Sequence, residues 1–259
     1  MSLALRSLGP ALAVPAAALL AFELWFAATG RVSDTIAPPS QAFWRLAAGL
    51  ADGSIVAMTV ETLAATLAGL AVGGGLGLAA GSVLALTRRA DMTARYVVEM
   101  LRAIPSIALL PLALLIFGFG YRMEIFVVAF ATFWPVLILS HSAVLAVEPR
   151  LIDVSRMLGF GPLSTLSKIV LPAAAPRLAT ALRLASGIAL VVAVTCEITA
   201  NPQGLGNGLM RAQESLQPAL MWAVLLWIGV IGYTANRALL AMERRLFAHR
   251  SDVDTSVAA

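Results

Sequence analysis

The sequence predicts an all-α protein that crosses a membrane six times. Hydrophobic residues make up 60% of the chain and charged residues only 12%, against roughly 45–50% and about 25% in soluble domains. The apolar residues fall into long continuous runs, each near the ~20 residues that a helix needs to cross the hydrocarbon core. The 18 lysines and arginines gather in alternate connections between those runs. A transmembrane β-barrel would instead alternate apolar and polar residues along short segments.

The runs lie at about 8–28, 59–86, 101–120, 124–147, 178–200 and 218–241 of a single domain, 1–259. The first begins after Arg6, as a signal peptide would, but it is long for such a segment. It ends in Glu23-Leu24-Trp25-Phe26, an interfacial pattern, and is read as an uncleaved first span. Next come Ala37-Pro38-Pro39-Ser40 and then Gln41 to Leu50, with Phe43, Trp44 and Leu46. Proline in a first turn followed by this spacing predicts a short helix on the membrane surface.

The second span carries Gly69, Gly73, Gly77 and Gly81, one every four residues. That spacing lines one helix face with glycine and lets another helix approach closely, so these residues are read as packing rather than as a ligand site. The fifth span ends in Val194-Thr195-Cys196-Glu197-Ile198-Thr199. An ionisable residue at membrane depth is a functional candidate by default. Glu197, with Thr195 beside it, is therefore either a pathway or gate residue or an interfacial acid bonded to the outer loop. Glu61, at the start of the second span, is a weaker candidate of the same kind.

Charge position orients the chain. With the first end in the cytoplasm, all the basic residues except Arg31, Arg45, Arg122 and Arg211 fall on the cytoplasmic side, as the positive-inside rule requires. Both termini are then cytoplasmic, as is the connection 148–177. The net charge of +4 reflects those loops and does not call for nucleic acid.

Several chemistries are disfavoured. His141 and His249 have no second ligand at helical spacing, which argues against zinc. Ser186 precedes Gly187, but no later span holds a histidine for an intramembrane serine protease. Cys196 is the one cysteine and is read as a small packing residue. Lys168, the one lysine, lies between Ser167 and Ile169 without a glycine-rich turn, so a phosphate-binding P-loop is absent. No arginine cluster that could bind an anion is evident within the membrane.

The connection 148–177 is the polar exception. Pro149 suits a first helical turn. Leu151, Val154 and Leu158 make an apolar face, and Asp153 is expected in the first turn, where the helix dipole favours an acid. Gly159 and Gly161 permit a sharp turn. A second short helix follows, with Lys168 in its last turn and Leu171-Pro172 as its end. Two readings stand at this level: a loop packed on lipid headgroups, or a docking projection for a partner protein.

Asp153-Val154-Ser155-Arg156-Met157-Leu158-Gly159, then Ile169-Val170-Leu171-Pro172 after the same interval, resembles the cytoplasmic signature loop of bacterial ABC importer permeases. That loop reads Glu-Ala-Ala, three residues, Gly, nine residues, Ile-x-Leu-Pro. Arg102-Ala103-Ile104-Pro105 through Pro111, Gly204-Leu205-Gly206 and Glu243-Arg244-Arg245-Leu246 are similar to stretches of the nitrate/sulfonate/taurine subgroup. The likeness runs from about Ala37 to Phe247. The chain departs from the signature at Asp153 for glutamate, at Val154 and Ser155 for the two alanines, and at Phe160 for a common alanine.

The resemblance implies a type I ABC importer permease fold in the bacterial inner membrane. It implies a second permease copy, two cytoplasmic ATPase subunits that bind ATP and Mg, and a periplasmic or lipid-anchored solute-binding protein. Coupling to the ATPase would fall on Asp153, Val154, Ser155, Arg156, Leu158, Gly159, Phe160, Gly161, Leu171 and Pro172. The cargo would be a small oxyanion, sulfonate or related organic nutrient. No cofactor, metal or catalytic residue is expected in this chain. The rival reading is an ATP-independent six-helix carrier or channel, which would have no use for such a loop.

Overall fold

The computed structural model describes residues 2–29 and 36–257. The helices are α1 (Ser2–Thr29), α2 (Pro39–Ala51), α3 (Ser54–Leu86), α4 (Arg88–Arg102), α5 (Leu110–Phe117), α6 (Tyr121–Leu145), α7 (Pro149–Met157), α8 (Pro162–Thr165), α9 (Leu171–Thr199), α10 (Gly204–Glu214) and α11 (Pro218–Val257). No strand occurs among the described residues. Arg31, counted above on the outer side, lies outside them.

Four helices are long and apolar enough to cross a membrane: 54–86, 121–145, 162–199 and 218–247. The third expected span is not one helix. Asp91–Arg102 and Ser106–Phe117 form a pair bent by 79°, with a 3₁₀ turn at Ser106–Leu109. Pro105 causes the break, because a proline bars the preceding residue from helical backbone and has no N–H to continue the ladder. By length and composition the described residues thus hold four continuous candidate spans, or five where the bent pair counts as one span. Within α1, Ala17–Thr29 is a shorter apolar helix.

The fifth expected span also differs. Leu171-Pro172 does not end a helix; the chain stays helical from Pro162 to Thr199. A single π turn at Leu166–Val170, with the Leu171 N–H donating to the Leu166 carbonyl, widens the backbone just before Pro172. This is one way a helix absorbs proline, whose ring would otherwise strike the carbonyl four residues back.

α3 and α6 form the central pair, with α9 against both. The glycine face of α3 makes the approach possible. A Cβ on Gly73 would lie 2.7 Å from Ala129 Cα, and one on Gly77 2.6 Å from the Phe133 carbonyl. Gly69 meets Val128 and Gly81 meets the Leu137 carbonyl in the same way. A core of Met123, Val127, Val128, Ala189, Ala193 and Cys196 joins α6 to α9, closed by Leu110 and Ala113 of α5. α2 begins on Pro39 at its first turn and packs on α11 and α3, with Trp44 left exposed. Leu67, Leu76, Leu115 and Val191 are likewise large, apolar and exposed, as suits side chains that face lipid.

Candidate functional site

The first candidate is the α7–α8 projection. Pro149 occupies the first turn of α7. Asp153 sits one turn further in, not in the first turn as expected, and pairs with Arg156 at 3.1 Å. The helix ends in a glycine cap: the Gly159 N–H donates to the Arg156 carbonyl and the Phe160 N–H to the Ser155 carbonyl, both at 3.0 Å. Gly159 takes φ +70°, the left-handed conformation that this cap demands. Gly161 precedes α8, and Pro162 is the first residue of that helix.

The apolar face expected on α7 is exposed. Leu151, Val154, Met157 and Leu158 are all exposed, Met157 at 88%. The buried residue is Ser155. Its hydroxyl donates to the Ile152 carbonyl at 2.7 Å and accepts from the Thr165 hydroxyl at 3.1 Å, so a small polar side chain locks α7 to α8. Valine or leucine at this position could not make that link. Lys168 Nζ lies 5.1 Å from the centre of the Phe160 ring, within cation–π range. Phe160 is half-buried. Beneath the projection, Val144 and Val147 meet Val170, Ala174 and Leu178. Arg177 donates to the Ala146 carbonyl at 3.2 Å. Leu171 and Pro172 lie where the π turn enters α9, so the projection is mounted rigidly on the end of α6 and the start of α9.

The second candidate lies at the opposite end of the bundle. The first turn of α10 carries Gly204-Leu205-Gly206, whose N–H groups have no partners within the helix. All three are taken up from outside it. The Gly204 N–H donates to Glu61 at 2.8 Å, the Leu205 N–H to the Thr62 hydroxyl at 2.9 Å, and the Gly206 N–H to Glu197 at 2.8 Å. Carboxylates at a helix N-terminus also meet the positive end of its dipole. Glu197 is 1% exposed and sits so close to Gly204 that a Cβ there would fall on its carboxylate. Asn201 donates to Glu124 at 2.6 Å beside it. Thr195 is turned to its own helix and donates to the Val191 carbonyl at 2.7 Å.

The structure thus brings Glu61 and Glu197 together on one helix end and leaves Thr195 outside that network. Glu124, Thr62 and Asn201 were missed. Glu124 had a signal, being an acid just inside a span. Its partner is 77 residues away, and no local pattern could name it. Among the described residues no cluster of potential metal ligands occurs. His141 Nε2 lies 3.0 Å from Asp91 Oδ1, an ion pair if the imidazole is protonated.

The chain has known relatives of the same build. Residues 73–248 match the family described as the inner membrane component of binding-protein-dependent transport systems. It is 31% identical over 186 residues to the putative aliphatic sulfonates transport permease protein SsuC of Bacillus subtilis strain 168, covering 72% of this chain and 67% of that one. It is 29% identical over 200 residues to the taurine transport system permease protein TauC of Escherichia coli K12, covering 77% and 70%. Among solved structures, an inward-facing form of the MetNI methionine ABC transporter superposes with a TM-score of 0.67 at 23% identity, covering 74% of this chain and 95% of that chain. The chain therefore belongs to the family of inner-membrane permease components of binding-protein-dependent ABC transport systems, as a transport subunit and not an enzyme, with the ATPase on a separate chain.

Proposed function

We infer that this chain is the permease of an ATP-driven importer for small organic sulfonates, working as a homodimer above two ATPase subunits. In this reading ATP and Mg belong to the ATPase chains, and a periplasmic or lipid-anchored binding protein delivers the solute. The four long helices, the bent pair and α1 make six crossings with both termini in the cytoplasm, in keeping with the basic bias of the loops. The cargo class follows the relatives named for aliphatic sulfonates and taurine.

One observation carries the coupling role: the exposed apolar face of α7, Leu151, Val154, Met157 and Leu158, on a helix otherwise rich in charge. An apolar patch rimmed by charge marks a protein or membrane contact, and a family whose ATPase is a separate chain favours the protein. Closure of the ATPase pair would push this projection, and its footing on α6 and α9 would carry the motion into the bundle. The projection is locked by Ser155, Thr165 and the Gly159 cap, so it moves as a body. On the outer side, Glu61 and Glu197 hold α10 against α3 and α9 as a clasp that opening must release.

The test is copurification of the ATPase from membranes holding the full-length permease. Leu158→Asp should lose the ATPase while the permease keeps its fold, because Leu158 is 61% exposed. Undiminished copurification would overturn the docking role.

A further inference from the structure

We propose that the cavity at the break between α4 and α5 binds the singly charged head of an organic sulfonate, with Arg102 as its main charge contact. The cavity measures about 770 Å³ and is bordered by Arg102, Ser106, Phe130, Trp134 and Ile188, with Glu99 at its edge. This rests on the permease reading and assigns a substrate contact within it.

Three independent features converge here. The first is the backbone. Ala103 to Pro105 is not helical, and all three residues are exposed. Non-helical backbone at membrane depth is tolerated only where it is buried in protein or lines a wet cavity. Interrupted spans are also where transporters build solute sites. Arg102 was placed by charge at the cytoplasmic end of its run, and the exposed break beside it, followed by the apolar helix Ser106–Phe117, opens this cavity toward that side as part of an aqueous pathway.

The second feature is the donor set. Arg102 is about half exposed, and its Nη2 donates to Glu99 at 3.3 Å. Among the described residues no bond engages its Nε or Nη1, which leaves part of the guanidinium fork open for an oxyanion. The Trp134 indole Nε1–H is buried without an acceptor. That N–H is enclosed and has no surface on the cavity, so the indole contributes its ring to the cavity wall. Ser106 supplies a hydroxyl.

The third feature is the balance of charge and apolar wall. Glu99 offsets part of the Arg102 charge, so a head of charge −1 fits better than a dianion. Phe130 and Trp134, in edge contact at 5.6 Å between ring centres, offer an apolar wall with Ile188 for a short carbon tail. Sulfonate on a short alkyl chain meets all three conditions; inorganic sulfate can use the donors but fails the third, being a dianion without a carbon tail.

The test is equilibrium dialysis of radiolabelled ethanesulfonate against the full-length permease in phosphatidylcholine nanodiscs. Saturable binding is expected. Arg102→Gln should weaken it by about tenfold or more, as loss of a charged hydrogen bond does. Trp134→Ala should weaken it by about threefold or more through loss of the apolar wall. Sulfate should compete at least about tenfold less well than methanesulfonate, and Arg102→Lys should keep more affinity than Arg102→Gln. Absence of saturable binding, wild-type affinity in Arg102→Gln, or equal competition by sulfate would each overturn the proposal. So would binding displaced completely by phosphatidylglycerol in the disc, which would mark a lipid-headgroup site. Copurification of the ATPase reports separately on the coupling role: its retention without ethanesulfonate binding would overturn the cavity assignment alone.

Discussion

Gly73→Ala is the most direct probe of the α3–α6 pair. The added Cβ would stand 2.7 Å from Ala129 Cα and would also strike the Ala129 carbonyl and the Thr132 hydroxyl. Ordinary contact between carbons is about 3.5–4.0 Å, so α6 must retreat by roughly 1 Å. Two of these obstacles are backbone atoms, which no rotamer change relieves. Overpacking of this kind costs about 1–3 kcal/mol. Alanine returns about 0.5–1 kcal/mol of helix propensity, which leaves a net loss of up to about 2.5 kcal/mol. For a chain of this size that corresponds to about 2–4 °C per kcal/mol in the melting midpoint. Gly75→Ala is the matched control: it lies on the same helix, and a Cβ there meets nothing within 4 Å. Thermal unfolding in detergent, followed by size-exclusion fluorescence, should give Gly73→Ala a midpoint several degrees below that of Gly75→Ala. A midpoint for Gly73→Ala at or above the control would refute the close-approach argument.

Three further outcomes follow from the two candidate sites. Glu197→Gln keeps an acceptor for the Gly206 N–H but removes a buried charge; it should change either solute uptake or the basal ATPase rate of the assembled transporter, and no change in either removes Glu197 from the gate. Gly204→Ala places a side chain on the Glu197 carboxylate at φ +83°, a backbone state that costs an L-residue about 1–2 kcal/mol; limited proteolysis should cut the 200–217 segment faster than in the wild type, and unchanged cleavage would mean that the clasp is not under tension there. Ser155→Val removes the partner of the half-buried Thr165 hydroxyl, at a cost of about 0.5–1.5 kcal/mol; uptake per ATP hydrolysed should fall while membrane insertion is unaffected, and an unchanged ratio would mean that the Ser155–Thr165 bond does not stiffen the projection.

What the sequence made legible was set by range. Apolar run length, glycine spacing and the signature residues are local or periodic, so the helical class, the α3 glycine face and the projection between the fourth and fifth runs could all be read directly. Helix breaks were harder. Ile104-Pro105 was apolar enough to be taken into the first turn of the run 101–120, although the pre-proline restriction was present in the sequence. Leu171-Pro172 misled in the opposite direction, because a π turn took up the proline. The apolar face of α7 was legible from its leucine and valine spacing, but the buried face was not, because it rests on the Ser155–Thr165 hydroxyl pair, two residues ten positions apart. The outer network was the least legible. Glu61 and Glu197 were visible as acids near span ends, but their common target, the first turn of α10, lies 143 and nine residues away respectively.

The central claim is that α7 and its glycine cap transmit ATPase movement into the bundle. Gly159→Trp tests it most directly, because Gly159 has open space around its missing Cβ and a φ of +70° that only the cap requires. The decisive measurement is solute taken up per ATP hydrolysed, with the permease and its copurified ATPase reconstituted in proteoliposomes together with the binding protein. The account predicts a variant that inserts normally and a ratio well below the wild-type value. A wild-type ratio, or a wild-type permease that brings down no ATPase chain at all, would contradict it.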